Sequence, residues 1–425
     1  MLIKAIILIG GPQKGTRFRP LSLELPKPLF PVAGIPMIEH HVAACAKIPE
    51  IKEVLLIGFY QQNEYLLRFI EDMKRKYDIF VRYLQEFCPM GTGGGIYHFR
   101  DQITLCNPQA LLVCNADVCC DFPFSEMIEN YRNNCLDSNG HLILGTEASS
   151  KQAPNYGCIV ENEDTHEVLH YVEKPETFIS DIINCGIYLF SPSIIDLISK
   201  IIKDRHHSLP FIVCNNRELS EEPTQLERHI LTQLASSGKF FVHKNKGFWS
   251  QIKTSGNAIY ANRHYLHEYH LNNSNILAEN GEEKPTVLGD VYIHPTASID
   301  PSAVVGPNVS IGSGVTIGPG VRVRESILLD KAELKEHCCV MNTIIGWNCS
   351  IGQWSRIEGT PADPNPNDPF ARLDSDSMFD EDGHLTPSIT ILGRNVHISP
   401  ELVIRNAIVL PHKEITNSFQ NAIIL

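Results

Sequence analysis

The residues best suited to chemistry come early. Residues 6–28 read IILIGGPQKGTRFRPLSLELPKP. Ile6 to Ile9 is an apolar run short enough to be one buried strand, and Gly10 and Gly11 follow at once. Glycine has no Cβ, so a ligand's phosphates can approach the backbone N–H groups there. Gly15, Thr16, Arg17, Arg19 and Lys27 come next. A strand that opens into a cation-rich glycine loop, on a chain of formal charge −13, has the makings of a phosphate site. A second group lies between residues 151 and 190: Asn155-Tyr156-Gly157, Glu173-Lys174-Pro175 and Asn184-Cys185-Gly186. Asn, Glu and Lys side chains near strand ends suit hydroxyls and a phosphate. Each of these residues alone is a common solvated side chain; their grouping carries the reading.

Strands and helices must position these groups. Met37 to Ala46 has helical composition. Val54 to Ile57 reads as a strand, and Tyr65, Leu66, Phe69, Ile70, Met73 and Tyr77 keep amphipathic helical spacing. Val81 to Leu84 is strand-like and ends at Gln85 and Glu86; Gly91-Thr92-Gly93-Gly94-Gly95 then opens a helix. Leu111 to Cys114 is a buried strand ending at Asn115, Ala116 and Asp117. Alternating strands and helices favour a mostly parallel sheet covered on both faces, with ligands beyond the carboxyl ends of the strands. Gly10, Gln85 and Asp117 fall there. Residues 200–240 carry little signal, and His206 and His207 read as surface.

Past residue 285 the period changes. Ile293, Ile299, Val305, Ile311, Ile317, Val323 and Leu329 recur every six residues. Ala297, Ala303, Val309, Val315, Val321 and Ile327 form a second ladder of the same period. This is the hexapeptide pattern of a left-handed parallel β-helix. It blurs after Leu329 and resumes at Ile351 and Ile357. A Pro/Asp-rich insertion at 359–387 cannot continue a coil and reads as a contact surface. The expected organisation is an α/β domain over 1–261, a linker over 262–285 and a β-helix over 286–425.

Composition narrows the partners. With 425 residues and 43% hydrophobic content the chain can build two sizeable cores. The acidic balance argues against nucleic acid or an anionic membrane. No apolar run is long enough to span a bilayer, and the start is too short for a signal peptide. Thirteen cysteines without a CxxC spacing suit free thiols in a reducing cytosol.

The early stretch resembles the signature of sugar-1-phosphate nucleotidyltransferases, G-G-x-G-T-R-x-x-P-L-T followed by P-K-P. Gly10, Gly11, Gly15, Thr16, Arg17, Pro20, Leu21, Pro26, Lys27 and Pro28 match it. The later Y-G, E-K-P and N-x-G groups follow the family order. The resemblance implies a Rossmann-like domain that joins a nucleoside triphosphate to a sugar-1-phosphate and releases pyrophosphate. It implies that Gly10, Gly11, Arg17 and Lys27 hold the nucleotide and its phosphates, and that Gln85, Gly91, Thr92 and Gly93 meet base and ribose. Asn115 falls in the same nucleotide-sugar site. Asp117 would bind magnesium. Gly157, Glu173, Lys174 and Asn184 would hold the hexose phosphate.

Two departures damage the triphosphate and metal half. Pro12, Gln13 and Lys14 stand where the family has one residue. The family's G-F-W-x-D-I-G reads Gly247-Phe248-Trp249-Ser250-Gln251-Ile252-Lys253, so the second metal carboxylate is the amide of Gln251. At about 4 Å and an effective dielectric near 20, one charge is worth about 4 kcal/mol, roughly a thousandfold. Magnesium, if bound, is expected to be held weakly, with Asp117 a vestigial ligand. Along its whole length the chain resembles the GDP-mannose pyrophosphorylase branch of the family. That resemblance implies a non-catalytic regulatory role: binding of GDP-mannose, a complex with a catalytic beta subunit, and feedback inhibition by GDP-mannose. Product binding is expected to act through the 359–387 insertion, and the flat β-helix faces are expected to self-associate. The competing expectation is an active mannose-1-phosphate guanylyltransferase.

Overall fold

The computed structural model describes residues 1–13, 15–208, 223–272, 274–361, 364–367, 379 and 385–425, without the side chains of 206–208. Lys14, the side chains of His206 and His207, and most of the 359–387 insertion lie outside the described residues. The chain divides into two compact units. One comprises Met1–Lys14, Ile38–Trp249 and Pro366–Pro369; the other Gly15–Met37, Ser250–Asn365 and Phe370–Leu425.

The first unit is built on a nine-stranded sheet. Its strands are β1 (Ile3–Gly10), β2 (Ile51–Gly58), β3 (Phe80–Gln85), β4 (Ala110–Asn115), β5 (His141–Glu147), β6 (Gly157–Glu161), β7 (Val168–Glu173), β8 (Ile182–Phe190) and β9 (Phe240–Lys244). The main path runs β7-β6-β8-β4-β1-β2-β3; β5 pairs with β8 and β9. Strands β4, β1, β2 and β3 are mutually parallel, as the alternation with helices requires. The far half differs from the expected parallel sheet: β8 is antiparallel to β4, β5 and β6, and β7 to β6. Between β5 and β8 the chain has only short turns, too short for parallel crossovers. Ile6, Leu55, Val113, Tyr188 and Phe190 share one core cluster, each at most 0% exposed.

The expected helices form: α1 (Met37–Ala46), α2 (Glu64–Tyr77) and α3 (Gly91–His98). Asn63 caps α2, its side chain accepting from the Leu66 N–H at 3.0 Å. Leu66, Phe69 and Met73 turn its apolar face inward.

The second unit is a β-helix of short parallel strands in three sheets. Ile293, Val305, Ile311, Ile317 and Val323 line its apolar interior or its edge, as the ladders imply. The coils are not uniform. Val291 pairs with Val309, eighteen positions on, but Ile311 pairs with Leu328, seventeen on. One residue is therefore missing before Leu328. Ile327 pairs with Ser310 and leaves the inner ladder, so the slip precedes Leu329.

Two further pieces belong to this unit. Helix α4 (Ser255–Leu271) begins with a capping box between Thr254 and Asn257 and runs through residue 261, where the sequence suggested a boundary. The stretch 15–37 is the other. The buried Asn262 accepts from the Ala33 N–H at 2.9 Å and from Ser310 Oγ at 2.6 Å. Phe30 packs edge-on against Phe18 at 5.0 Å and Trp347 at 6.3 Å. Arg394 lies over Trp347 at 5.1 Å and pairs with Glu24 at 2.9 Å.

Candidate functional site

Order reverses at β1, which has β2 on one side and β4 on the other. A crevice opens beyond the strand ends at such a switch point. Here it is lined by Gly10, Gly11, Gln13, Glu86, Gly91 and Thr92 among others. Gly10 takes φ 69°, a conformation that favours glycine. Its carbonyl accepts from the Phe59 N–H at 2.7 Å, which fixes the loop beside β2. Gln13, from the insertion, reaches the crevice wall. Gln85 ends β3, next to Glu86.

The glycine helix α3 is engaged by another segment. The Thr224 carbonyl accepts from the N–H groups of Gly93 (2.9 Å) and Gly94 (3.1 Å), and the Thr224 N–H donates to the Met90 carbonyl at 2.9 Å. A Cβ at Gly91 would sit 2.5 Å from the Thr224 oxygen, and one at Gly93 2.7 Å from Ile230. Part of the glycine requirement here is thus packing against 224–230. Thr92 Oγ1 donates to Glu227 at 3.0 Å and accepts from the Leu226 N–H at 2.8 Å.

The residues expected to hold the hexose phosphate include a connected network. Gly157 and Glu173 are direct partners across β6 and β7. Tyr171 Oη donates to Glu173 at 2.8 Å. Asn184 Nδ2 donates to Tyr171 Oη at 3.0 Å and Tyr188 Oη at 2.9 Å, while its Oδ1 accepts from the Gly186 N–H at 2.8 Å. Both amide protons are used, so Asn184 positions tyrosines rather than waiting open. Burial pushes both phenols well up. Lys174 is exposed in a left-handed conformation, φ 50°, its N–H bonded to the Tyr156 carbonyl at 3.1 Å.

Glu227 is the residue that sequence reasoning missed. Burial, and then the charge of Glu173, raise its pKa; Asn115 joins Thr92 in hydrogen-bonding it. It is hydrogen-bonded to the glycine helix through Thr92 and feels the charge of Glu173. Its segment has no glycine or motif, so only the fold could reveal it.

The late motif is anchored through its tryptophan. Trp249 Nε1 donates to the Cys185 carbonyl at 3.0 Å, and the ring meets Tyr156 at 5.4 Å. Gln251 follows two residues on, half-buried. Asp117 is half-buried just beyond β4. Twelve of the expected site residues therefore lie in the first unit; Arg17, Lys27 and Gln251 belong to the second. Lys27 lies over the Phe18 ring at 5.9 Å.

Residues 4–252 match the family described as Nucleotidyl transferase, and residues 287–424 the GMPPB C-terminal domain. The chain is 59% identical over 425 residues to mannose-1-phosphate guanylyltransferase regulatory subunit alpha-B of Danio rerio, covering 100% of both chains. Mannose-1-phosphate guanyltransferase alpha-B of Xenopus laevis is 58% identical, and the regulatory subunit alpha of Rattus norvegicus 56%, each with 100% coverage of both chains. The chain belongs to the nucleotidyltransferase family, in the branch of the mannose-1-phosphate guanylyltransferase alpha subunits.

Proposed function

We propose that this chain binds GDP-mannose and regulates a catalytic mannose-1-phosphate guanylyltransferase subunit by feedback, with little or no transferase activity of its own. The observation that carries the reading is Gln251. Its motif is seated by Trp249 on Cys185, yet it offers a neutral amide where the family pattern has a carboxylate. Gln keeps an oxygen acceptor but not the charge that a dication needs. Among the described residues no group of three His, Cys, Asp or Glu side chains is placed to hold a metal ion. With Asp117 left as the one carboxylate of the family's pair, magnesium would be held weakly here.

What the crevice and the Glu173 network retain suits a finished nucleotide sugar. Glu173, fixed by Tyr171, offers carboxylate oxygens to hexose hydroxyls. Lys174 supplies a cation beside it, and the Gly10–Gly11 backbone and Thr92 face the nucleotide half. Arg17 and Lys27 enter as phosphate cations on the family pattern alone. The family names of the relatives include a regulatory role, which supports a catalytic partner.

A hydrogen-bonded route leads from this network toward the insertion. The Ser149 N–H donates to the Pro366 carbonyl at 3.0 Å, and the Ser149 carbonyl accepts from Gln152 and Ala153. That turn runs directly into Tyr156 and Gly157. Product held at Gly157 and Lys174 would act on the insertion through this turn.

The test is pyrophosphate release by the isolated chain given GTP, mannose-1-phosphate and magnesium. The reading expects none above background; steady turnover would instead support an active guanylyltransferase.

A further inference from the structure

The three sheets of the β-helix present three different outer faces. On the first, the outward positions Ser310, Ile327, Ile344 and Ile391 are all buried. Helix α4 covers part of it through Asn262 and Ser310, and Gly34 of the 15–37 stretch lies against Tyr292 of the same sheet. The second carries Thr316, Glu333, Ser350, His397 and Glu414 outward, a polar face without one dominant charge.

The third face is different. Its strands Arg322–Arg324, Cys339–Met341, Arg356–Glu358 and Val403–Arg405 stack in register. Arg322, Cys339, Arg356 and Val403 form one outward column; Arg324, Met341, Glu358 and Arg405 form the next. Val323, Val340, Ile357 and Ile404 alternate inward between them and are buried. All four arginines are exposed. Glu358 is the one acid in these two columns; it pairs with Arg356 and reaches Arg405 at 4.0 Å. Among the described residues Arg322 and Arg324 have no carboxylate within ion-pair distance. On the same face Val403 is 45% exposed and Met341 is partly exposed.

Four arginines cost solubility nothing, but solubility does not require them to be gathered in two adjacent columns of a chain with net charge −13. Coils lie about 4.8 Å apart, so Arg322 and Arg356, two coils apart in one column, and Arg324 and Arg405, three coils apart in the next, spread their guanidinium groups over about 14 Å of a flat face where each can meet an acid. Arginine with exposed apolar neighbours is also the composition of interface centres. A second copy of this chain is a poor occupant. Two-fold pairing of this face would bring eight arginines together against two glutamates, and like charges across an interface are costly.

We propose that this arginine face docks a partner protein through an acidic, sheet-like surface. Under the function proposed above, on which this inference rests, that partner is the catalytic subunit.

The test uses the full-length chain and purified catalytic subunit, with association followed in real time at about 50 mM and about 300 mM salt. The Arg322→Glu/Arg324→Glu double variant is expected to associate about tenfold more slowly, or worse, and to lose most of the salt dependence. Arg405→Glu, three strands along the same face, is the second variant and moves the same way. Lys335→Glu, on the neighbouring polar face, changes little. Melting curves establish that each variant is folded. Wild-type binding retained by both arginine variants overturns the face while leaving the regulatory reading intact. An equal loss with Lys335→Glu overturns it as well, since net charge alone would then be responsible. No wild-type binding overturns both. Binding to anionic phospholipid vesicles that the double variant abolishes, with subunit association unchanged, identifies a membrane ligand and rejects the protein partner.

Discussion

Along the β-helix one position is filled alike coil after coil: Val305, Val323, Val340, Ile357 and Ile404 stack in a single column. In the sheet unit nothing repeats. Thr92, Asn115, Glu173, Asn184 and Glu227 each make different hydrogen bonds, and the distances among them are set by strands far apart in sequence. Repetition yields a straight scaffold with flat faces, suited to assembly. A unique polar network yields a site for one ligand. On the proposed reading, recognition belongs to the sheet unit and partnering to the β-helix.

Deleting residues 361–387 should sharpen this division most. The insertion interrupts the β-helix, and Pro366 is bonded to Ser149 of the sheet unit. GDP-mannose inhibition of the assembled complex should vanish while the complex still co-elutes by size exclusion. Inhibition that survives the deletion breaks the proposed link between the two functions.

Replacing Glu173 with Ala comes next. It removes the carboxylate and strands the buried Tyr171 hydroxyl. Hydrogen bonds to a charged group are worth about 1.5–3 kcal/mol each, so losing two to the hexose should lower affinity for GDP-mannose about a thousandfold. Calorimetry measures this, and association with the catalytic subunit in the absence of ligand should be unchanged. A joint loss of both would erase the distinction between units.

The sheet unit should also respond to acid through His141. Burial lowers its pKa from 6.5 to about 4, and its Nδ1 accepts from the Ser191 N–H at 3.3 Å. The unfolded chain therefore binds a proton that the folded chain refuses between those values. Stability is fully present above pH about 6.5 and is lost as pH falls toward about 4, by at most about 3 kcal/mol. Melting temperatures of wild type and His141→Gln across that range check the sign. A pH profile unaltered by the substitution would place the acid sensitivity elsewhere.

The sequence was most legible where physics is local or periodic. The ladders named the β-helix because each coil buries the same positions. They missed the shortened coil because Leu328 and Leu329 are both apolar, and pairing with Ile311 alone decides between them. The glycine signature located β1 and its loop. Nothing local shows that Phe18 and Phe30 pack with Trp347, so nothing local places the 15–37 stretch in the β-helix unit. Thr224 and Glu227 were invisible for the same reason: their partners lie more than a hundred residues away. Glycines at 91–95 looked like a ligand cradle, yet Thr224 and Ile230 account for part of their need.

The most direct measurement is calorimetric titration of the isolated chain with GDP-mannose, in magnesium and again in excess chelator. On the proposed reading, a ligand held by Glu173, Lys174 and the glycine loop, with no metal between it and the protein, should bind with the same affinity in both. Binding that appears only with magnesium, or none at all, would contradict the account.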